Sequence, residues 1–151
     1  MLSVLLIGGF ITILIIASSL GTTLGESVIA VIPVGEFPQA LAFNPSNNYI
    51  YVANRDSGTV SVIDSTNNTL LKNVVVGTEP IALEFNPSNN YIYVANVVSN
   101  SVSMIESTNN TIADTVNVSS LPLTLEFNPS NDGVYVAGTL TGTEGLVSII
   151  G

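Results

Sequence analysis

The sequence predicts an all-β fold built from a repeated unit, and two observations support that prediction. The segment FNPSNNYIYVAN at 43–54 recurs unchanged at 85–96, and again at 127–138 with 8 of 12 positions kept, so the period is 42. Each unit combines β-branched and aromatic runs with Asn-Pro and Asn-Asn punctuation, which disfavours helices. The chain is therefore predicted to consist of short strands in repeats of this period.

Each repeat is predicted to form four strands, which in the second unit are Ile81–Phe85, Tyr91–Ala95, Ser101–Ile105 and Thr111–Val118. The YIYVA segment is apolar at every position, as expected for a strand in a sheet covered on both faces. Four strands in a repeat of this period match one β-propeller blade, which its two neighbours cover. The predicted fold is a β-propeller with three blade-equivalents in each chain, at 39–76, 81–118 and 123–150. The five Tyr residues are expected to lie in the core between blades.

The two ends of the repeat region predict how the blades of the propeller close into a ring. Residues 28–34 match the fourth strand of a blade, whereas 146–150 match a third strand and have no fourth strand after them. Three blades are fewer than the usual range of about 4 to 8. We therefore expect the N-terminal strand of one chain to complete the last blade of another, which gives a six-bladed homodimer. The alternative is a truncated gene whose other blades are lost or encoded elsewhere.

Residues 1–25 precede the repeats and are predicted to form an apolar helix. The run from Val4 to Ala17 is almost wholly apolar, and no charged residue occurs before Glu26. Its length fits a signal peptide, with a small-residue cleavage pattern at 17–19, and equally an uncleaved transmembrane anchor. Both alternatives predict an extracellular or cell-surface location, and the anchor would also place the chain at the membrane.

Composition excludes several classes of function. The chain has 2 basic and 11 acidic residues, a net charge of −9, which is incompatible with ordinary nucleic-acid binding. It contains no Cys and no His, so disulfides, thiolate nucleophiles and a Ser-His-Asp triad are all excluded. We therefore predict no catalytic residues and no cofactor.

Two sets of polar residues are candidate sites. Glu84 and Glu126 occupy the same position of the first strand in units two and three, which lies beside the channel of a propeller. They are weak candidates for a calcium site, because calcium prefers more oxygen ligands than two carboxylates supply; solvated channel-lining carboxylates are the simpler interpretation. Asn-x-Ser/Thr acceptor patterns for glycosylation occur at Asn67, Asn109 and Asn117.

The motifs YVAN at 51–54 and SGTVSVID at 57–64, repeated at 93–96 and 101–106, resemble the YVTN-type β-propeller repeat of archaeal and bacterial cell-surface proteins. The Gly-x-x-Pro links at 35–38 and 77–80 also resemble that family, although Pro-Ser-Asn replaces its usual Pro-Asp-Gly turn. The resemblance implies a surface-exposed binding or structural module and carries no catalytic apparatus with it.

The sequence thus favours a non-enzymatic, cell-surface β-propeller module that binds proteins or ligands or forms a surface layer. Its expected partners are a second copy of itself or other surface proteins. The alternative hypothesis is a remnant or subunit of a propeller enzyme, such as a lactonase-like hydrolase with a carboxylate-bound divalent metal.

Overall fold

The computed structural model describes the backbone of residues 3–7 and 10–14, and then residues 26–118, 121–140 and 144–151. The chain divides into two compact units, residues 1–31 and 32–151. All regular secondary structure in these described ranges is β-strand.

The first unit contains an antiparallel pair of strands, β1 (Ser3–Ile7) and β2 (Phe10–Leu14), in which Ser3 lies opposite Leu14. The apolar helix predicted for this region is therefore wrong. The physical reason lies in the sequence: β-branched residues are frequent in both strands, and a Gly-Gly pair, which suits a hairpin, separates them. No helix in the described ranges is long and apolar enough to cross a membrane. The cleavage pattern at 17–19 falls outside the described residues.

The second unit contains three antiparallel sheets, called blades 1 to 3, in which the strands follow chain order. Blade 1 consists of β3 (Pro38–Asn44), β4 (Tyr49–Asn54), β5 (Thr59–Asp64) and β6 (Thr69–Val75). Blade 2 consists of β7 (Pro80–Asn86), β8 (Tyr91–Asn96), β9 (Ser101–Glu106) and β10 (Thr111–Asn117). Blade 3 consists of β11 (Leu121–Asn128), β12 (Gly133–Thr139) and β13 (Gly145–Ile150). The all-β prediction is confirmed.

The first strands of the blades lie next to one another, with β7 between β3 and β11. Each first strand pairs with its second strand through a bulge directly after its proline, at Pro38, Pro80 and Pro122. Such bulges bend a strand and increase its twist. The repeated proline therefore gives each blade the same shape at the same place.

The backbone conformation of the turns explains why they are rich in Asn. Asn48, Asn68, Asn90 and Asn110 all have positive φ values, between 56° and 60°, a region that Asn tolerates better than most residues. The first residue of the Asn-Pro-Ser turn adds a local hydrogen bond, because Asn44 Oδ1 accepts from the Ser46 amide at 2.8 Å. The turn composition thus fixes tight reversals between strands.

The two faces of a blade differ in composition, and the core forms where unlike faces meet. We call them the Tyr face and the Leu face after their most distinctive residues. The Tyr face of blade 1 packs on the Leu face of blade 2, and these two faces bury Tyr51, Ala53, Val60 and Val62 against Leu83, Ile92 and Val94. The Tyr face of blade 2 packs in the same way on the Leu face of blade 3, which buries Tyr93, Ala95, Val102 and Met104 against Leu125, Val134 and Val136. Tyr51 and Tyr93 therefore lie between blades, as predicted.

The segment 28–34, predicted to be a fourth strand, forms no strand in this single chain. Val28, Ile29 and Val31 are 83%, 88% and 85% exposed. A strand requires a hydrogen-bonding partner, and this segment has no partner strand among the described residues.

The close packing of the link between blades predicts the effect of adding one methyl group. A Cβ atom at Gly77 would lie 2.7 Å from Cβ and Cγ of Asn96, which is closer than packed atoms come. Gly77→Ala is therefore expected to lower the free energy of unfolding by about 1–3 kcal/mol, measured by urea unfolding. Gly151→Ala is the control, because nothing lies within 4 Å of that position. Equal stability of the two variants would contradict this packing.

Candidate functional site

Glu84 and Glu126 lie on the adjacent first strands β7 and β11, as predicted from their matching positions. Glu84 is half-buried and Glu126 is exposed. Burial raises the pKa of the Glu84 carboxyl above its ordinary value, and the negative charge of Glu126 raises it further. A hydrogen bond from the backbone N–H of Phe127 opposes this rise in pKa. The pair thus forms a small acidic spot at the junction of blades 2 and 3, whereas blade 1 has Ala42 at this position.

The described ranges contain no group of three or more acidic side chains placed to hold a metal ion. No third acidic side chain of the described residues thus joins the two carboxylates, which stay weak candidates for divalent cation binding.

The predicted glycosylation positions are all exposed. Asn67 and Asn109 occupy the same turn in blades 1 and 2, directly before the fourth strand. Each side-chain oxygen accepts a hydrogen bond from the hydroxyl of the Thr two residues later, at 2.6 Å in both blades. Asn117 is the last residue of β10.

The Leu face of blade 1 has no blade against it within the second unit, although its residues match those of a core. Leu41 is 71% exposed, whereas Leu83 and Leu125, at the same position of blades 2 and 3, are 9% and 6% exposed. Phe43 beside it is 49% exposed. This face is therefore apolar and uncovered at its inner edge.

The Tyr face of blade 3 is open in the same way. Val147 and Ile149 on β13 are each 61% exposed. Their counterparts in blade 1, Val60 and Val62, are fully buried because blade 2 covers them. The second unit thus carries two partly uncovered faces of opposite type, one at each end of the blade series.

The segment directly before blade 1 covers part of the open Leu face. Ile32 and Val34 lie with Leu41, Val52 and Ile63 around an apolar cavity of about 370 Å³. Their counterparts one repeat later, Val74 and Val76, pack in the core between blades 1 and 2. The chain therefore enters blade 1 in the way that the fourth strand of blade 1 leads into blade 2.

The link before blade 1 also repeats the contacts of the link before blade 2, with one difference. The Glu36 amide donates to Ser57 Oγ at 3.2 Å, as the Thr78 amide donates to Ser99 Oγ at 2.6 Å. In blade 2, the buried Asn96 Oδ1 accepts from the Gly77 amide at 3.2 Å.

The matching oxygen in blade 1, Asn54 Oδ1, is buried and accepts no hydrogen bond. The Gly35 amide donates instead to Ser61 Oγ, at 3.4 Å. The sequence does not predict this unpaired oxygen, because the twelve-residue segment that ends at Asn54 is identical to the one that ends at Asn96.

A polar depression of about 530 Å³ lies where blade 1 meets the link to blade 2. Arg55 lines it and pairs with Glu79, with Nη2 and Oε2 3.1 Å apart. The Arg55 guanidinium also lies 5.6 Å from the centre of the Phe37 ring. The guanidinium thus has its partners within the chain, and this feature escaped the sequence analysis because blade 2 has Val97 at the same position.

Comparison with protein-family models gives no match, and comparison with curated protein sequences gives none either. Solved structures, by contrast, share the fold. Hydrazine synthase from Kuenenia stuttgartiensis is similar with a TM-score of 0.70 and 25% identity over 75% of this chain. The β-propeller domain of Cps50 (Swd1) from Myceliophteria thermophila is similar with a TM-score of 0.65 and 15% identity over 83%. The WD40 β-propeller domain of Doa1 is similar with a TM-score of 0.55 and 13% identity over 66%.

These similarities support the β-propeller prediction. The chain spans 33%, 42% and 32% of the length of the three matched chains. Because the fold is shared by an enzyme and by WD40-type domains, it does not by itself select a function.

The Glu84 carboxyl gives a prediction about pH. Its raised pKa means that the folded state favours the protonated form. Stability should therefore be lost as the pH rises from the ordinary value of 4.5 through the folded-state pKa, and Glu84→Gln should abolish that loss. We expect the variant to have a higher Tm than the native chain at pH 7 and the same Tm at pH 4, by thermal unfolding. Glu144→Gln, at an exposed position, is the control; a lower Tm of Glu84→Gln at pH 7 would contradict the account.

Glycosylation at the three acceptor positions predicts added mass on peptides that carry Asn67, Asn109 or Asn117, in protein purified from its native source. Asn44 is an internal control, because the Pro that follows it blocks modification. Mass spectrometry that finds all three acceptor peptides unmodified would refute the prediction.

Proposed function

We propose that this chain is a non-enzymatic β-propeller module that acts by associating with protein through its two open blade faces. The observation that supports the proposal is the exposure of core-type residues at both ends of the blade series. Leu41, Val147 and Ile149 are more than half exposed, whereas their counterparts between blades are 9% exposed or less.

The physical argument concerns apolar surface. Burying one such aliphatic side chain contributes about 1.5–3 kcal/mol relative to leaving it in water. An uncovered sheet face flanked by polar turns is typical of a protein-interaction site. The unpaired edge of β13 adds a row of free backbone groups that favour pairing with another strand.

We further propose a cell-surface setting and a YVTN-type repeat, on the basis of the YVAN motifs and the Gly-x-x-Pro links. The proposal agrees with the net charge of −9 and with turns built from uncharged Asn, Ser and Thr, which interact readily with water. Detection of the protein on intact native cells by antibody labelling, with a cytoplasmic protein as the control, tests the location. Labelling that requires cell lysis would contradict it.

The alternative function, a propeller enzyme with a carboxylate-bound metal, rests on the pair of Glu84 and Glu126. It requires calcium or another divalent cation to raise the Tm of the native chain, and the double variant Glu84→Gln/Glu126→Gln to abolish that rise. Under the proposal made here, both proteins respond to the cation equally weakly.

The proposed association predicts the effect of placing a charge on an open face. Ile149→Glu is expected to weaken self-association or partner binding at least tenfold, because burial would remove the new carboxylate from water. Light scattering over a concentration series measures the effect. Val98→Glu is the matched control, since Val98 is 54% exposed but lies in a turn between strands. Equal association of both variants would refute the role of the face.

A further inference from the structure

We infer that the partner of the two open faces is a second copy of this chain, and that residues 27–33 of each copy form the fourth strand of blade 3 in the other. This inference rests on the proposed function and names its partner. It yields a closed ring of six blades, which lies within the usual range of about 4 to 8.

The first argument is that the two open faces match each other. Inside the chain, a Tyr face packs on a Leu face twice, between blades 1 and 2 and between blades 2 and 3. The uncovered faces are the Leu face of blade 1 and the Tyr face of blade 3, which are the two halves of a third such interface. A second copy supplies each half to the other without any new type of contact.

Polar groups at this interface match as well. Between blades 1 and 2, the Tyr51 hydroxyl donates to Asn110 Oδ1 at 2.7 Å, and Asn44 Nδ2 donates to Ser107 Oγ at 2.9 Å. The counterparts on blade 3 are Tyr135 and Asn128, and those on blade 1 are Asn68 and Ser65. All four are present, so the same two hydrogen bonds are available between copies.

The carboxylates do not oppose this arrangement. Glu84 of blade 2 faces the charge of Glu126 on blade 3, which raises its pKa. The residue that Glu126 would face on blade 1 of another copy is Ala42. The interface between copies therefore avoids the like-charge pair that the chain tolerates internally.

The second argument concerns the fourth strand. Blades 1 and 2 each have four strands, and β13 at the edge of blade 3 has no strand paired to its outer side among the described residues. Residues 27–33 match β6 of the following repeat, and they are largely exposed and without a hydrogen-bonding strand. The link at 35–37 holds the preceding residues next to blade 1 just as the link at 77–79 holds β6 next to blade 2. This segment is thus available to pair with blade 3 of a second copy.

The register follows from the complete blades. Ser61 pairs with Asn73, and their side chains are hydrogen-bonded at 2.7 Å. The matching pair in blade 2, Ser103 and Thr115, is in contact at 3.4 Å. The counterpart of Ser61 in β13 is Ser148, which pairs with Val136 as Ser61 pairs with Val52. The counterpart of Asn73 is Val31, so Ser148 of one copy should lie opposite Val31 of the other.

The unpaired Asn54 Oδ1 agrees with a preceding strand that lacks its partner. The strand before blade 2 is β6, which is paired with β5. The matching oxygen there, Asn96 Oδ1, accepts a hydrogen bond from the Gly77 amide. In blade 1, where residues 28–34 have no partner strand, the Gly35 amide does not reach this buried oxygen. Gly35 already packs against Asn54 as Gly77 packs against Asn96, so a small shift of the link when the strand pairs with a second copy would let the Gly35 amide reach this oxygen.

The test uses the full chain with one engineered cysteine pair, Val31→Cys together with Ser148→Cys. The native chain has no cysteine, so any disulfide comes from the introduced pair. Directly opposed residues on paired strands come close enough for a disulfide. The positive control is Ser61→Cys with Asn73→Cys, which should link within one chain. Each single cysteine variant serves as the negative control.

Two readouts separate this inference from the proposed function. Light scattering of the full chain should give twice the mass of one chain, which is 15.7 kDa. Oxidation of the engineered pair should convert most of the protein to a linked dimer on a non-reducing gel. A species of twice the chain mass without cross-linked chains would overturn the strand exchange and leave the association through faces intact. A monomer, whether or not it forms an internal disulfide, or a continuous series of larger aggregates would overturn the inference that the partner is a second copy. The proposed function is tested separately, by the effect of Ile149→Glu on partner binding.

Discussion

Face-to-face packing of sheets is the constraint on which the rest of this structure depends. The side chains of each strand alternate between the two faces of a blade, and in YIYVA both sets are apolar. A single blade therefore cannot be stable with either face in water. The buried Tyr51 and Val62 of blade 1 are stabilised only because Leu83 and Val94 of blade 2 cover them. Repetition is thus required by the chemistry of each unit.

The same constraint explains why the ends of the series carry the functional argument. A blade in the middle of the series has both neighbours, whereas blade 1 lacks one neighbour and blade 3 lacks the other. Val147 and Ile149 are exposed although the residues at their positions elsewhere are core, so their composition is that of an interface between blades. The association that we propose would extend the folding of the repeat, with the same residue types and the same register.

The repeat made most of the fold predictable from sequence, because identity between 43–54 and 85–96 requires the same local structure twice. Strand limits, the burial of Tyr51 and Tyr93, and the neighbouring positions of Glu84 and Glu126 all followed from it. The prediction of an N-terminal helix is wrong because it rests on the apolar composition alone, whereas the β-branched residues and the Gly-Gly pair favour two strands joined by a hairpin turn. The difference between Asn54 and Asn96 was not predictable, since it depends on where the chain before each blade lies, and the segments 43–54 and 85–96 that end at these residues are identical.

Hydrogen–deuterium exchange at two protein concentrations tests the central claim, that a second copy completes the open edge, most directly. The amides of residues 28–32 and of β13 are followed in the full chain above and below its association range, with those of β8 as an internal reference. The account predicts that both segments are protected at the higher concentration and exchange together on dilution, while β8 stays protected throughout. Exchange of 28–32 that is fast at both concentrations, or that does not change together with β13, would contradict it.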